Sequence, residues 1–255
     1  MITDSAQLAS LIEQIESADR VAVDTEADSL HSYREKLCLL QISVPVPGST
    51  ASSVDTGLCV AHGHEPARAV CDFMVDPLAN NNLEPLRQAL EAREIVLHGA
   101  DYDLRMLRRG LNLAATRIFD TLIAARLLGI REFSLAALVK RYFGLALLKG
   151  SQKANWAQRP LPTRMAEYAI NDVHYLLPLA EKLEAELDRC ERRNWLQQSC
   201  QRAIELAAVA RTRNQDELWR IRGSGVLRGR DAAVLRALWQ WREKEAEKAD
   251  RPPFH

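Results

Sequence analysis

The stretch "VAVDTEADSL", Val21 to Leu30, decides how this sequence is read. It opens as a buried strand, with Val21, Ala22 and Val23, and then places Asp24, Glu26 and Asp28 at alternating positions. Side chains two apart on a strand share a face, so Asp24 and Glu26 project together near the strand's carboxyl end. Two carboxylates held side by side repel unless a proton or a cation sits between them. Hard divalent cations take such oxygen ligands. A strand end closed by a salt bridge is the competing reading of D-x-E alone.

Working outward, "SAQLASLIEQIESAD" (5–19) reads as an amphipathic helix with Ser5 as its N-cap. "KLCLLQISV" (36–44) is a second strand, close enough to the first to pair antiparallel with it. Residues 45–66, rich in Pro, Gly, Ser and Thr, read as a long surface insertion. Strands follow at 69–76, 94–99 and 117–120, with an Asn-capped helix at 81–92 and a helix at 101–109 stopped by Gly110. Further helices are expected from Thr121, at 134–144 between a Ser134 cap and Gly144, and at 161–189 with a kink or break at Pro178. An antiparallel ribbon followed by alternating strands and helices predicts an α/β domain with a mixed sheet and flanking helices. Beyond about residue 190 the pattern is all-helical: a Gly-broken basic linker at 220–230, then an amphipathic helix at 231–250.

The formal net charge of the 255-residue chain is zero, but residues 1–100 carry 6 Lys/Arg against 15 Asp/Glu and the remainder 28 against 19. An acidic first part suits cations and a basic second part suits a polyanion. The chain shows no signal peptide and no apolar run of membrane-spanning length, so no membrane role is expected. Five cysteines without framework spacing point to a reducing cytoplasm. Cys59, His62, His64 and Cys71 have the spacing C-x2-H-x-H-x6-C, which matches no common structural zinc site and is read as loop.

Two further stretches carry acidic groups. "VLHGADYDLRML" (96–107) runs a strand into a helix bearing Asp101 and Asp103. "EYAINDVHYL" (167–176) sets Tyr168 and Asp172 four apart on one helix face. D-x-E, then H-x4-D, then Y-x3-D, in that order and with matching elements around them, resembles the DEDD superfamily of 3′–5′ exonucleases, in its ribonuclease D branch. The resemblance covers about residues 1–190 and includes "LCLLQIS", "FDTLIAARLLG", "SLAALVKRYFG" and "KGSQKANWAQRPLPTRMAEYAINDVHYLLPL". It implies a ribonuclease H-like exonuclease fold over residues 1–192 and a helical tail over 193–255.

The resemblance makes Asp24, Glu26, Asp103 and Asp172 the metal carboxylates and Tyr168 the residue that orients the attacking water. The other branch of the superfamily has a His at the position of Glu167. Two ions, Mg²⁺ or Mn²⁺, about 4 Å apart would activate a water and neutralise the departing 3′ oxygen. Asp101 is read as a helix cap or a neighbour of the site, His98 as a non-ligand, Asp28 as a loop residue and Asp120 as an N-cap. Lys149, Lys153 and Arg159 are candidate phosphate contacts. Trp156 has two readings, a base stack or core packing. The tail, from "LWRIRGSGVLRGRDAAVLRALWQW", resembles the start of an HRDC nucleic-acid module, with Trp219, Trp239 and Trp241 partly uncovered. The expected function is 3′–5′ trimming of structured RNA such as tRNA precursors, releasing nucleoside 5′-monophosphates. An exonuclease acting mainly on DNA and a catalytically silent RNA-binding protein are the alternatives.

Overall fold

The computed structural model describes residues 1–46, 69–80, 82–147, 150–209 and 217–254. Most of the 45–66 insertion, with Cys59, His62 and His64, lies outside the described residues, as does Lys149. Five strands, β1 (Arg20–Ala27), β2 (Leu37–Pro45), β3 (Val70–Val75), β4 (Glu94–Leu97) and β5 (Arg117–Asp120), form one sheet in the order β3-β2-β1-β4-β5. β1 pairs antiparallel with β2 (Ala22 opposite Ser43) and parallel with β4 (Ala22 opposite Val96). β2 and β3 pair antiparallel, β4 and β5 parallel, which is the mixed sheet expected from the sequence.

All nine residues of β2 are buried, as a strand covered on both faces must be. Leu40, Ile42 and Val44 enter the main core with Val21, Val23, Ile95 and Leu97. Cys38 and Leu39 enter a second cluster with Trp156, Met165, Tyr168 and Ala169. Each such fully buried aliphatic side chain contributes about 1.5–3 kcal/mol.

Around the sheet lie α1 (Ser5–Glu16), α2 (Glu84–Glu91), α3 (Asp101–Leu111), α4 (Thr121–Leu127), α5 (Leu135–Phe143), α6 (Thr163–His174), α7 (Leu176–Arg189) and α8 (Arg193–Ala208). Several ends differ from the sequence reading. The cap of α1 is Asp4, whose Oδ1 accepts from the amides of Ala6 and Gln7, so Ser5 is already helical. Asn82 does bond the Glu84 amide, although Leu83 holds the cap position of α2. The 161–189 helix breaks at Tyr175, and Pro178 falls in the first turn of α7, where its missing N–H costs nothing.

Gly110 does not stop α3. The helix runs on to Leu111 and closes at Asn112 in the left-handed region (φ 54°). Gly110 is there for space: a Cβ would stand 2.7 Å from Leu37 Cβ. Ser134 and Gly144 do cap α5, with Gly144 at φ 73°.

The structure divides into two compact units. The first holds residues 1–27 and 37–208. It includes α8, which the sequence reading assigned to the tail; α8 packs on α3, α4 and β5. The second unit joins Asp28–Lys36 to Val209–His255. Its long helix is α9 (Gly229–Lys248). There Tyr33 Oη bonds Glu243 (3.3 Å), the Tyr33 amide bonds Asp250 (3.2 Å) and Arg34 pairs with Glu247 (2.6 Å). Asp28 is a loop residue but fully buried, accepting from Ser32 Oγ (2.5 Å) and the Lys36 amide (2.7 Å). Trp241 is exposed, while Trp219 and Trp239 are half-buried. No described helix is long and apolar enough to cross a membrane.

Candidate active site

β1 runs past β4. Its parallel pairing ends at Ala22, while the antiparallel pairing to β2 continues to Ala27 with a bulge at Glu26. Bulges re-aim side chains and are enriched beside active sites. The overhang carries Asp24 and Glu26. α6 packs on β1, β2 and β3 and brings Asp172 to them. One carboxylate oxygen each from Asp24, Glu26 and Asp172 lies within 4.8 Å of the others. These are hard oxygen donors from two elements, and they fit a divalent cation.

Asp103 enters from the first turn of α3 and is buried. It is held by Thr25, whose Oγ1 donates to Asp103 Oδ1 at 2.5 Å and whose amide also favours the ionised carboxyl. Asp103 stands outside the tight group of three, yet its charge acts on both Asp24 and Glu26.

Every carboxyl here titrates above its ordinary range. Burial and then the charges of Asp103, Asp172 and Glu26 raise Asp24 well up. Burial, with Asp172 and Asp103, pushes Glu26 to about 9. Burial lifts Asp103 to about 7 against the Thr25 bonds. It lifts Asp172 to about 6 against a hydrogen bond from Tyr168. Among the described residues, no lysine or arginine is ion-paired to any of the four. Such a group lowers its energy by taking up protons or a cation.

Tyr168 is one turn from Asp172 on α6 and almost buried, its ring 6.1 Å from that of Trp156. Burial and the Asp172 charge raise its phenol above the ordinary value, so it stays protonated and donates. Gln152 also bonds the phenol. Thr25 and Gln152 are contributors that the sequence reading missed. Thr25 had a signal, since it sits between Asp24 and Glu26; Gln152 had none.

The other sequence candidates separate. His98 Nδ1 lies 2.8 Å from Thr121 Oγ1, whose own proton goes to the Leu97 carbonyl. Burial lowers its pKa, so it is a neutral imidazole, and it is not in the carboxylate group. Asp120 is the expected N-cap of α4, and it also accepts from the amides of Gly99 and Ala100. Asp101 is exposed and pairs with Arg105 on its own helix; it caps nothing. Cys71 is exposed on β3.

Of the two readings of Trp156 the structure bears out core packing, and the expected phosphate contact at Arg159 is corrected. Trp156 is 0% exposed, inside the second cluster, so no base can stack on it. Arg159 has all five N–H groups engaged: with Asp76 at 2.5 and 2.7 Å, and with the carbonyls of Trp156, Gln158 and Cys38. Burial would raise the Asp76 carboxyl, but Arg159 and the Leu78 amide outweigh it and hold it low. Arg159 therefore fastens the 150–160 segment to β2 and β3 and has no donor left for a phosphate. Lys153 remains exposed.

The fold and the carboxylate group define a class, and comparison gives it a family. A 3′–5′ exonuclease family profile matches residues 1–188, and the chain belongs to that family. The chain is 34% identical to ribonuclease D of Sphingobium indicum, over 99% of its own length and 60% of the relative's. Among solved structures it is similar to Escherichia coli RNase D, described as an exoribonuclease involved in structured RNA processing (26% identity, TM-score 0.71, 99% of this chain and 62% of that one). It is also similar to the catalytic core of RRP6 from Trypanosoma brucei (26% identity, TM-score 0.74, 99% and 65%). The chain thus spans about 60% of the length of the curated ribonuclease D it matches.

Proposed function

We propose that the chain is a divalent-metal-dependent 3′–5′ exoribonuclease that trims single-stranded 3′ ends of structured RNA, such as tRNA precursors, and releases nucleoside 5′-monophosphates. One observation carries the reading: carboxylates of Asp24, Glu26 and Asp172 within 4.8 Å, with no protein cation paired to them among the described residues. Asp24, Glu26 and Asp172, with Asp103 beside them, would hold two ions, Mg²⁺ or Mn²⁺. Bound divalent ions supply Lewis acidity, which activates a water and neutralises a leaving alkoxide.

The chain's own residues do the rest. Thr25 fixes Asp103, and Tyr168 fixes Asp172. The protonated Tyr168 is no general base; its one O–H is given to Asp172 here, and once cations hold that carboxylate the O–H would turn to orient the attacking water. The similarity to ribonuclease D supports RNA over DNA as substrate. The cysteine pattern supports a cytoplasmic setting, and the Ser224–Val226 turn with α9 reads as the opening of an HRDC module.

The test incubates a 5′-labelled single-stranded RNA and its DNA counterpart with Mg²⁺ or Mn²⁺, with EDTA, and with Asp24→Asn. A ladder shortening from the 3′ end, lost with EDTA and with the variant, is expected, and it should be faster on RNA. A faster ladder on DNA would reassign the substrate. A ladder surviving in Asp24→Asn would overturn the site.

A further inference from the structure

Among the clefts that described residues of the first unit line, two charged ones away from the carboxylates differ in their balance of charge. The cleft beside the amino ends of β1, β4 and β5 sets Arg20, Arg117 and Arg193 against Asp19, Glu94 and Glu184, with Arg20 and Arg193 ion-paired to carboxylates and Arg117 on the Ala92 carbonyl. The other lies along the α4–α5 turn and the outer face of α5 and encloses about 650 Å³. Arg131, Lys140 and Arg141 line it and are exposed, against the single carboxylate Glu132. Thr121 to Leu147 contain four cations and one acid, the fourth cation being Arg126. Among the described residues none of the four cations is ion-paired to a carboxylate. Two rest on rings instead: Arg126 over Phe133 (5.2 Å) and Arg141 over Tyr142 (5.7 Å).

From this placement we infer that the α4–α5 cleft is a docking surface for the phosphate backbone of duplex RNA, the folded body of the substrate whose 3′ tail enters the carboxylate site. This rests on the exoribonuclease reading. α4 begins at the carboxyl end of β5, the same sheet edge at which β1 carries Asp24 and Glu26, because β1, β4 and β5 are parallel. Its seven residues span about 10 Å. α5 follows, with Lys140 and Arg141 in its last turn, and the chain reaches Gln152 at Tyr168 soon after.

The ligand class follows from what the cleft lacks. Sequence-tolerant binding of single strands needs open aromatic faces as well as cations. Here none of the described residues that line the cleft is aromatic, and the neighbouring Phe133 and Tyr142 each have a guanidinium over the ring, at 5.2 and 5.7 Å. An excess of cations without aromatic rings in a concave face suits a duplex, whose bases are turned inward and whose phosphates are the accessible groups.

The test is the triple variant Arg131→Ala/Lys140→Ala/Arg141→Ala, assayed on a hairpin RNA with a single-stranded 3′ tail and on the tail sequence alone. The expected result is a KM for the hairpin raised about tenfold, with kcat on both substrates and KM for the free tail unchanged. Hairpin affinity should also lose about two to three units of its slope against log salt. An unchanged hairpin KM and salt slope would overturn the inference, and an equal loss on both RNAs would reassign the cleft to the single strand. Hairpin binding by the wild-type chain is measured separately. A chain that binds hairpin through the cleft but shortens no RNA would sink the nuclease reading and leave the cleft standing.

Discussion

At the amino end of β1, Arg20 lies 2.8 Å from Glu94 and 2.9 Å from Glu184, and Arg193 reinforces Glu184. At the carboxyl end of the same strand, Asp24 and Glu26 face Asp172 and Asp103, with no lysine or arginine ion-paired to them among the described residues. One strand thus shows both answers to a partly buried carboxylate. The first is a protein cation, which closes the interaction within the fold. The second leaves the carboxylates poised for a cation from solution, at a cost to the metal-free fold. Burying charge without a partner is expensive, and a strand end of this kind gains most from protons or a cation taken from solution.

The largest break in this comparison is Asp24→Asn. It should lower the exonuclease rate by at least about 10²–10³-fold, as removal of a charge-stabilising group does. Without metal it should raise thermal stability, because a repelling charge is gone; differential scanning calorimetry in EDTA would show this. A lower Tm there would mean that the carboxylate was structural.

Tyr168→Phe comes next. A rate loss of about 10–100-fold with metal affinity nearly intact is expected, read by single-turnover kinetics and Mn²⁺ titration. A parallel loss of Mn²⁺ affinity would make the phenol part of the metal site.

The pH dependence sharpens the contrast further. Glu26 near 9, Asp103 near 7 and Asp172 near 6 all lie above the ordinary carboxylate value of about 4. From about pH 4 to about 9 the folded chain keeps protons that the unfolded chain has released. Metal-free stability should therefore be highest at the acid end of this window and fall as pH rises through 6, 7 and 9. Saturating Mg²⁺ should flatten the slope. Denaturant titrations at several pH values, with EDTA and with Mg²⁺, would measure it; a metal-free protein that grows more stable from pH 6 to 9 would contradict it.

The smallest effect belongs to the other end. Glu184→Gln removes the shared partner of Arg20 and Arg193 and should cost about 1–2 kcal/mol in urea, since these side chains are partly solvated. The exonuclease rate should not change.

What the sequence made legible follows from which constraints are local. The shared face of Asp24 and Glu26 is the period of a strand, and Tyr168 with Asp172 is the turn of a helix. Asp120 read as a cap because capping acts over two or three residues. Arg159 misled, and Trp156 stayed open between stacking and core packing, because their partners are distant in the chain. Arg159 spends its fork on Asp76 and on the Cys38 carbonyl, 83 and 121 residues away. Gly110 misled for the same reason: glycine before the end of a helix looks like a stop, and only the fold shows Leu37 against it.

That contact makes positions 37 and 110 a single unit of variation. Any side chain at 110 demands a smaller one at 37, and a smaller one at 37 alone leaves a hole in the wall of β2. Asp103 rides on the same helix seven residues earlier, so a matched exchange at 37 and 110 would slide α3 by tenths of an ångström and retune the spacing of the carboxylates. On the metal role proposed for these carboxylates, an engineer wishing to alter which divalent ion is preferred has a handle two helical turns from them, without touching a carboxylate.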